Sequence, residues 1–299
     1  MATTGLMTAR PPRYWLGQLK PYWFLILAAI AFAVPGMMGL AKIVWSTEQG
    51  AQGPIILVTG LWLLVREAVP ILRGGAAVPG RRGIVIAWLV LSLAPYILAS
   101  MIGIVWLQWA ATYSALVAVA YAYVGYAVLR RLWFALFYLM FLIPPPYSIM
   151  LALTRALKLW ISGAAVEVLA FFGFQVASSG TTLYIDQYEL LVAAACSGMN
   201  SLVSLLAIGL FYIHLRHDSE DWKYSVVLAI LVVPIAIAAN FIRVVMLLLI
   251  TKYFGNEVAQ GMLHDAAGLS MFLLALILLM GVDALLEPVR RRLSGSTAA

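Results

Sequence analysis

Apolar residues in this chain come in long, nearly unbroken runs, without the strict alternation of a strand half-exposed to water. The runs cover about 22–41, 54–72, 83–105, 110–129, 132–151, 193–215, 224–250 and 266–287. A helix crossing the roughly 30 Å hydrocarbon core of a bilayer needs about 20 such residues at about 1.5 Å rise each. Backbone groups find no water there, so each segment must bond to itself as a helix. The pattern predicts an all-α integral membrane protein of about eight transmembrane helices, a single polytopic domain over 1–299. Trp106, Trp109 and Tyr113 flank the tight turn between the third and fourth spans, where interfacial aromatics belong.

Between 132 and 192 the pattern is irregular. Pro144, Pro145 and Pro146 come only a dozen residues after Arg131, so the fifth span is short or broken. Residues 148–173 are also apolar but carry Arg155, Lys158 and Glu167, which predicts an interfacial or re-entrant helix. A crossing there, added to the fifth span, would flip every later loop. The stretch FQVASSGTTLYIDQYELLV has a Ser-Ser-Gly turn signal and alternation in TLYID. It predicts a small outer hairpin before span six. Tyr184, Asp186, Tyr188 and Glu189 lie on it; selecting a substrate is one reading of them, and a solvated hairpin is the simpler one.

Composition agrees with the pattern: 64% of residues are hydrophobic, 10% are charged, and the mean hydropathy is +0.99. A soluble chain of this length needs far more charge to cover its surface. The net charge of +7 does not point to nucleic acid, because no Lys/Arg-rich face accompanies it. Thirteen of the 19 basic residues instead fall in alternate loops: Arg10, Arg13 and Lys20; Arg73, Arg81 and Arg82; Arg130 and Arg131; Arg216 and Lys223; Arg290 to Arg292. The other loops hold Lys42, Arg155, Lys158 and Lys252, and Arg66 and Arg243 lie within spans. The positive-inside rule then puts both termini in the cytoplasm. Basic residues before the first run, with Ala31-Phe32-Ala33 after it, imitate a signal peptide. That run continues to Leu40, so it reads as an uncleaved first helix. A single cysteine, Cys196, excludes an intramolecular disulfide and a multi-thiolate zinc site, and no cofactor is expected.

Polar residues inside apolar spans are costly and are functional candidates for that reason. Cys196 lies 20 residues before Arg216, Arg243 lies 20 after Lys223 in a span running the other way, and His264 lies 23 before Glu287. At helical rise, all three reach the outer face. A thiol becomes a nucleophile as thiolate, which a nearby cation favours. Arg243 is permanently charged and suits either the thiolate or an oxyanion. His264 can take the thiol proton and return it to a leaving amine. Asn200 and Asn240 share helix faces with Cys196 and Arg243 and could orient them. Each residue alone also has an ordinary explanation: a small packing cysteine, a snorkelling arginine, an interfacial histidine. Their common depth is what argues for a site. HExxH and GxSxG are absent, Asp186, Asp265 and Asp283 fall at different depths, and His214 and His217 belong to the cytoplasmic end.

AACSGMNSL, ANFIRVV and HDAAGLSMF, in that order on three separate helices, resemble the signature motifs of the exosortase/archaeosortase family. The IPPP end of span five and the outer hairpin are similar too, so the likeness covers about 130–280. It implies a bacterial integral-membrane cysteine transpeptidase or protease with its catalytic half at about 130–287. Such enzymes process exported proteins that end in a Pro-Glu-Pro-type motif, a membrane helix and a basic cluster. Carried over by position, Cys196 is the nucleophile, Arg243 the stabilising cation and His264 the acid/base. The partners implied are the substrate's sorting-signal helix and the lipid bilayer, with no nucleic acid. The location implied is the inner membrane, its active site facing the periplasm, in exopolysaccharide-associated systems. A non-enzymatic scaffold or carrier of an export system is the alternative reading.

Overall fold

A computed structural model describes residues 23–43, 45, 53–75, 77–185, 188–191, 198–217, 221–255, 262–288 and 290. The chain packs as two compact units, 1–145 and 146–299.

The first unit contains α1 (Trp23–Ile43), α2 (Gly53–Arg73), α3 (Arg82–Ile102), α4 (Val105–Arg131) and the short α5 (Trp133–Leu139), which tightens into a 3-10 turn at Met140–Leu142. Gly103, at φ 73°, ends α3 in the left-handed conformation, and Ile104 N–H donates to Ala99 O at 2.9 Å to close the turn. The antiparallel α3–α4 pair is joined inside by Trp88 Nε1 donating to Ser114 Oγ and by Ser92 Oγ against Ser114 Oγ, both at 2.9 Å. Trp109 is buried beside Gly36, whereas Trp106 stays exposed. α4 is broken at Gly125 (φ 74°), and Gly80 N–H donates to the Ala122 carbonyl beside the break. Any side chain at Gly125 would run into the Val78 carbonyl. The outward faces remain apolar, as at Val58, Leu91 and Met101, which suits helices solvated by lipid.

The span at 132–151, expected to be short or broken, is broken. α5 and its turn together hold ten residues, or about 15 Å of α-helix, and the chain is then non-helical from Ile143 to Pro146. The three prolines supply no N–H, and each disfavours helix in the residue before it. The long helix follows them: α6 (Tyr147–Phe171), 25 residues, with length and composition sufficient to cross a membrane.

In the second unit α6 leads into a sheet, β1 (Val176–Ser179), β2 (Thr182–Ile185) and β3 (Tyr188–Leu191), antiparallel in the order β1-β2-β3. A three-stranded meander thus stands where a hairpin was expected. Leu183 and Ile185 of β2 pack with Ile161, Ala165 and Leu169 of α6 against Val244, Leu247 and Leu248. Tyr188, assigned to a solvated hairpin, is half-buried against this cluster, while Tyr184 is exposed.

Three helices complete the unit: α7 (Gly198–Arg216), α8 (Trp222–Phe254) and α9 (Met262–Leu285). They meet in layers. Ile213 packs with Leu228 and Tyr224, and Gly209 lies against Val232 and Leu279. Leu205 packs with Ala236 and Ala275. Numbers fall along α7 and α9 together as they rise along α8, so α7 and α9 run parallel and α8 runs against both. Gly209 is glycine because a Cβ there would sit 2.8 Å from a Val232 methyl.

Candidate functional site

The layered register fixes the height of everything farther along the three helices. From the layer of Leu205, Ala236 and Ala275, Arg243 lies seven residues along α8 and Gly198, the first residue of α7, lies seven back along α7. Both are therefore about 10 Å from that layer, in the same direction. Asn240 and Asn200, four and five residues from the layer, lie about 6 and 8 Å away. His264, in the first turn of α9, is eleven residues from Ala275, or about 16 Å. The backbone positions of Asn200, Asn240, Arg243 and His264 therefore gather at one end of the helix group within about 10 Å of height. Cys196 lies outside the described residues, two positions before Gly198.

Arg243 is 4% exposed and Asn240 is fully buried. Arg243 repeats the face of α8 that carries Val232, Ala236 and Ala239, since four and seven residues return to one side of a helix. That face meets α7 and α9 in the layers below. Immediately beyond Arg243, Val244, Leu247 and Leu248 are covered by α6 and β2. One side of the guanidinium's level is thus walled by packed hydrocarbon, where a fixed charge interacts far more strongly than in water. Among the described residues, no cluster of three or more His, Cys, Asp or Glu could hold a metal ion. The chemistry such a level offers is that of a permanent cation at the mouth of two parallel helices. This suits stabilising a thiolate or an oxyanion.

The other end of the same three helices holds a polar cluster that the sequence did not single out. Asp283 of α9 accepts hydrogen bonds from Tyr212 of α7 and Tyr224 of α8, each at 2.7 Å. Tyr224 also donates to the Asp283 carbonyl at 3.1 Å. His217 Nε2 stands 3.2 Å from Asp283 Oδ1 without hydrogen-bond alignment, its ring edge-on to Tyr224. Nearby, Arg290 forms an ion pair with Asp221 at 2.8 Å, joining the chain after α9 to the start of α8. The signal available in sequence was an aspartate in an apolar helix, an expensive residue that must be satisfied by something. Its partners lie 71 and 59 positions away, beyond any local pattern.

A family model described as transmembrane exosortase matches residues 44–281, a span that includes all five residues of the candidate site. No curated protein and no solved structure matches the chain.

Proposed function

We propose, because the chain belongs to the transmembrane exosortase family, that it is a membrane-embedded cysteine transpeptidase or peptidase acting on C-terminal sorting signals of exported proteins. Cys196 is its nucleophile, Arg243 its stabilising cation and His264 its acid/base, with Asn200 and Asn240 orienting them. The observation that carries this reading is the buried Arg243 at the height where α7 begins. Two residues of chain, at most about 7 Å, separate that point from Cys196.

In the first step the Cys196 thiol proton passes to His264 and the sulfur attacks the scissile carbonyl carbon. The oxyanion so formed faces Arg243. Collapse breaks the C–N bond, and the imidazolium of His264 protonates the departing amine, which leaves with the substrate's membrane anchor. The product on the enzyme is a thioester. Water or an amine acceptor then attacks it, again losing a proton to His264, and Cys196 is released as thiol. Hydrolysis and transpeptidation differ only in that second nucleophile.

The site faces the periplasm of a bacterial inner membrane, and both termini are cytoplasmic. The distribution of Lys and Arg supports this orientation. The described lengths support α6 as the fifth crossing, since ten residues of α5 and its turn are too few to span about 30 Å.

Co-expression of wild type or Cys196→Ala with a protein carrying such a sorting signal tests the reading by substrate mass on a gel. The expected result is a shortened species with wild type only, at equal enzyme abundance in the membrane. Equal processing by both would return Cys196 to a packing role and leave the scaffold or carrier reading in its place.

A further inference from the structure

We propose that the outer edge of β3 is the strand on which the substrate's extended segment pairs, so that main-chain hydrogen bonds carry the scissile bond to Cys196. This rests on the cysteine-peptidase reading and adds how that site holds its substrate.

The register fixes which groups are available. Ser179 pairs with Thr182 and Ile185 with Tyr188, each closing a two-residue connection. Closing pairs of two-residue hairpins exchange both main-chain hydrogen bonds, and every second pair does so after them. Thr182 and Tyr184 therefore bond toward β1, and Leu183 and Ile185 toward β3. The two hairpins agree on this alternation along β2. On β3 it commits Tyr188 and Leu190 to β2 and turns the N–H and C=O of Glu189 and Leu191 to the outer edge. Among the described residues no strand pairs with that edge.

Two observations favour β3 over the opposite edge, on β1. The chain runs from Leu191 to Cys196 in five residues, at most about 17 Å. Tyr188 packs in the cluster of Val244, Leu247 and Leu248, the turn of α8 that follows Arg243. β1 packs on α6 instead. A peptide cleaved at a membrane surface must be extended to expose its carbonyl, and its own backbone groups are costly to leave unpaired out of water. An open edge supplies partners without reading side chains, as in other strand-addition complexes. The occupant is thus the extended segment of the exported protein immediately outside its anchor helix.

Glu189→Pro removes one outward N–H while sparing the bonds to β2, and proline is tolerated on an edge strand. Ser178→Pro makes the same change on the outer edge of β1. In the full chain, in membranes, Glu189→Pro is expected to lower cleavage at least about fivefold, the factor one main-chain hydrogen bond carries. Ser178→Pro is expected to leave it near wild type, and Glu189→Ala to cost less than Glu189→Pro. Wild-type cleavage by Glu189→Pro, or equal losses from both proline variants, would overturn the proposal. A second measurement does not depend on turnover: a benzophenone amino acid at 189 or 191 of the Cys196→Ala chain, irradiated with the same substrate. Adducts from these positions and not from 177 on β1 support pairing, and their absence refutes it. Because cleavage by wild type against Cys196→Ala is scored in the same experiment, failure of the peptidase reading is seen separately from failure of the edge.

Discussion

Removing Asp283 is expected to unlock the end of the α7–α8–α9 group opposite Arg243. Its carboxylate accepts two 2.7 Å bonds, from Tyr212 and Tyr224, and is 8% exposed. Asp283→Ala takes both acceptors away. Tyr224 keeps the 3.1 Å bond to the main-chain carbonyl of residue 283, so its loss is partial, whereas Tyr212 loses this acceptor outright. In water-soluble proteins a hydrogen bond to a charged group contributes about 1.5–3 kcal/mol. In membrane interiors the measured mean is only about 0.6 kcal/mol, because the unfolded reference also finds partners. Desolvation of the carboxylate offsets part of either figure. Both bonds are short and charge-assisted, which argues above the membrane mean, while the surviving Tyr224 bond argues below two full contributions. The result is about 2–3 kcal/mol for Asp283→Ala and about 1 kcal/mol for Asp283→Asn, which keeps one acceptor oxygen.

Reversible unfolding by denaturing detergent in mixed micelles measures this directly. Combining Asp283→Ala with Tyr212→Phe should give a coupling of about 0.5–1.5 kcal/mol, since both changes delete one bond. Purely additive effects, or an unfolding midpoint for Asp283→Ala equal to wild type, would refute the view that this cluster clamps the three helices.

Two further outcomes follow from the packing and the site. Gly209→Ala places a Cβ 2.8 and 2.9 Å from the two methyls of Val232, so it should destabilise by about 1–3 kcal/mol in the same assay. Val232→Ala in the same chain should recover much of that loss, and no recovery would mean the clash lies elsewhere. Arg243→Ala should lower cleavage about 10²–10³-fold at equal membrane abundance, the range for deleting one oxyanion partner. Arg243→Lys should recover only part, having the charge without the planar fork; cleavage by Arg243→Ala within a few-fold of wild type would remove the arginine from the mechanism.

Most helix positions were legible because a bilayer permits few solutions. The runs at 54–72 and 224–250 became Gly53–Arg73 and Trp222–Phe254 with ends moved by a few residues. For Asn200, Asn240, Arg243 and His264 a shared end of the helix group was also legible, since counting residues measures distance along a helix directly, whereas Cys196 lies outside the described residues. What sequence could not carry was pairing across the chain. Asp283 looked like one of three aspartates at unrelated depths, and only packing reveals that Tyr212 and Tyr224 come to the same level. Tyr188 looked solvated because alternation shows which residues share a face, not which face finds a partner. The seat of Trp109 is likewise a pairing across the chain, against the glycine at position 36 of a neighbouring helix.

The most instructive region lies around the three prolines. Hydropathy is nearly continuous from 132 to 173, so a window of about 20 residues can be laid across the prolines or set after them. A window on 132–151 makes Arg155 and Lys158 cations of an outer element. The chain breaks at Ile143–Pro146, and with α6 as the proposed crossing the two residues fall about 12 and 16 Å along a 25-residue helix. Arg155 is exposed and Lys158 half-buried, so their long side chains have a route along the helix toward headgroups. On the proposed topology this leaves Lys42 and Lys252 as the cations assigned to outer loops, against thirteen inside. Moving the crossing therefore sharpens the charge asymmetry, and it does so without changing the parity by which the proposed topology sets Cys196, Arg243 and His264 on one side.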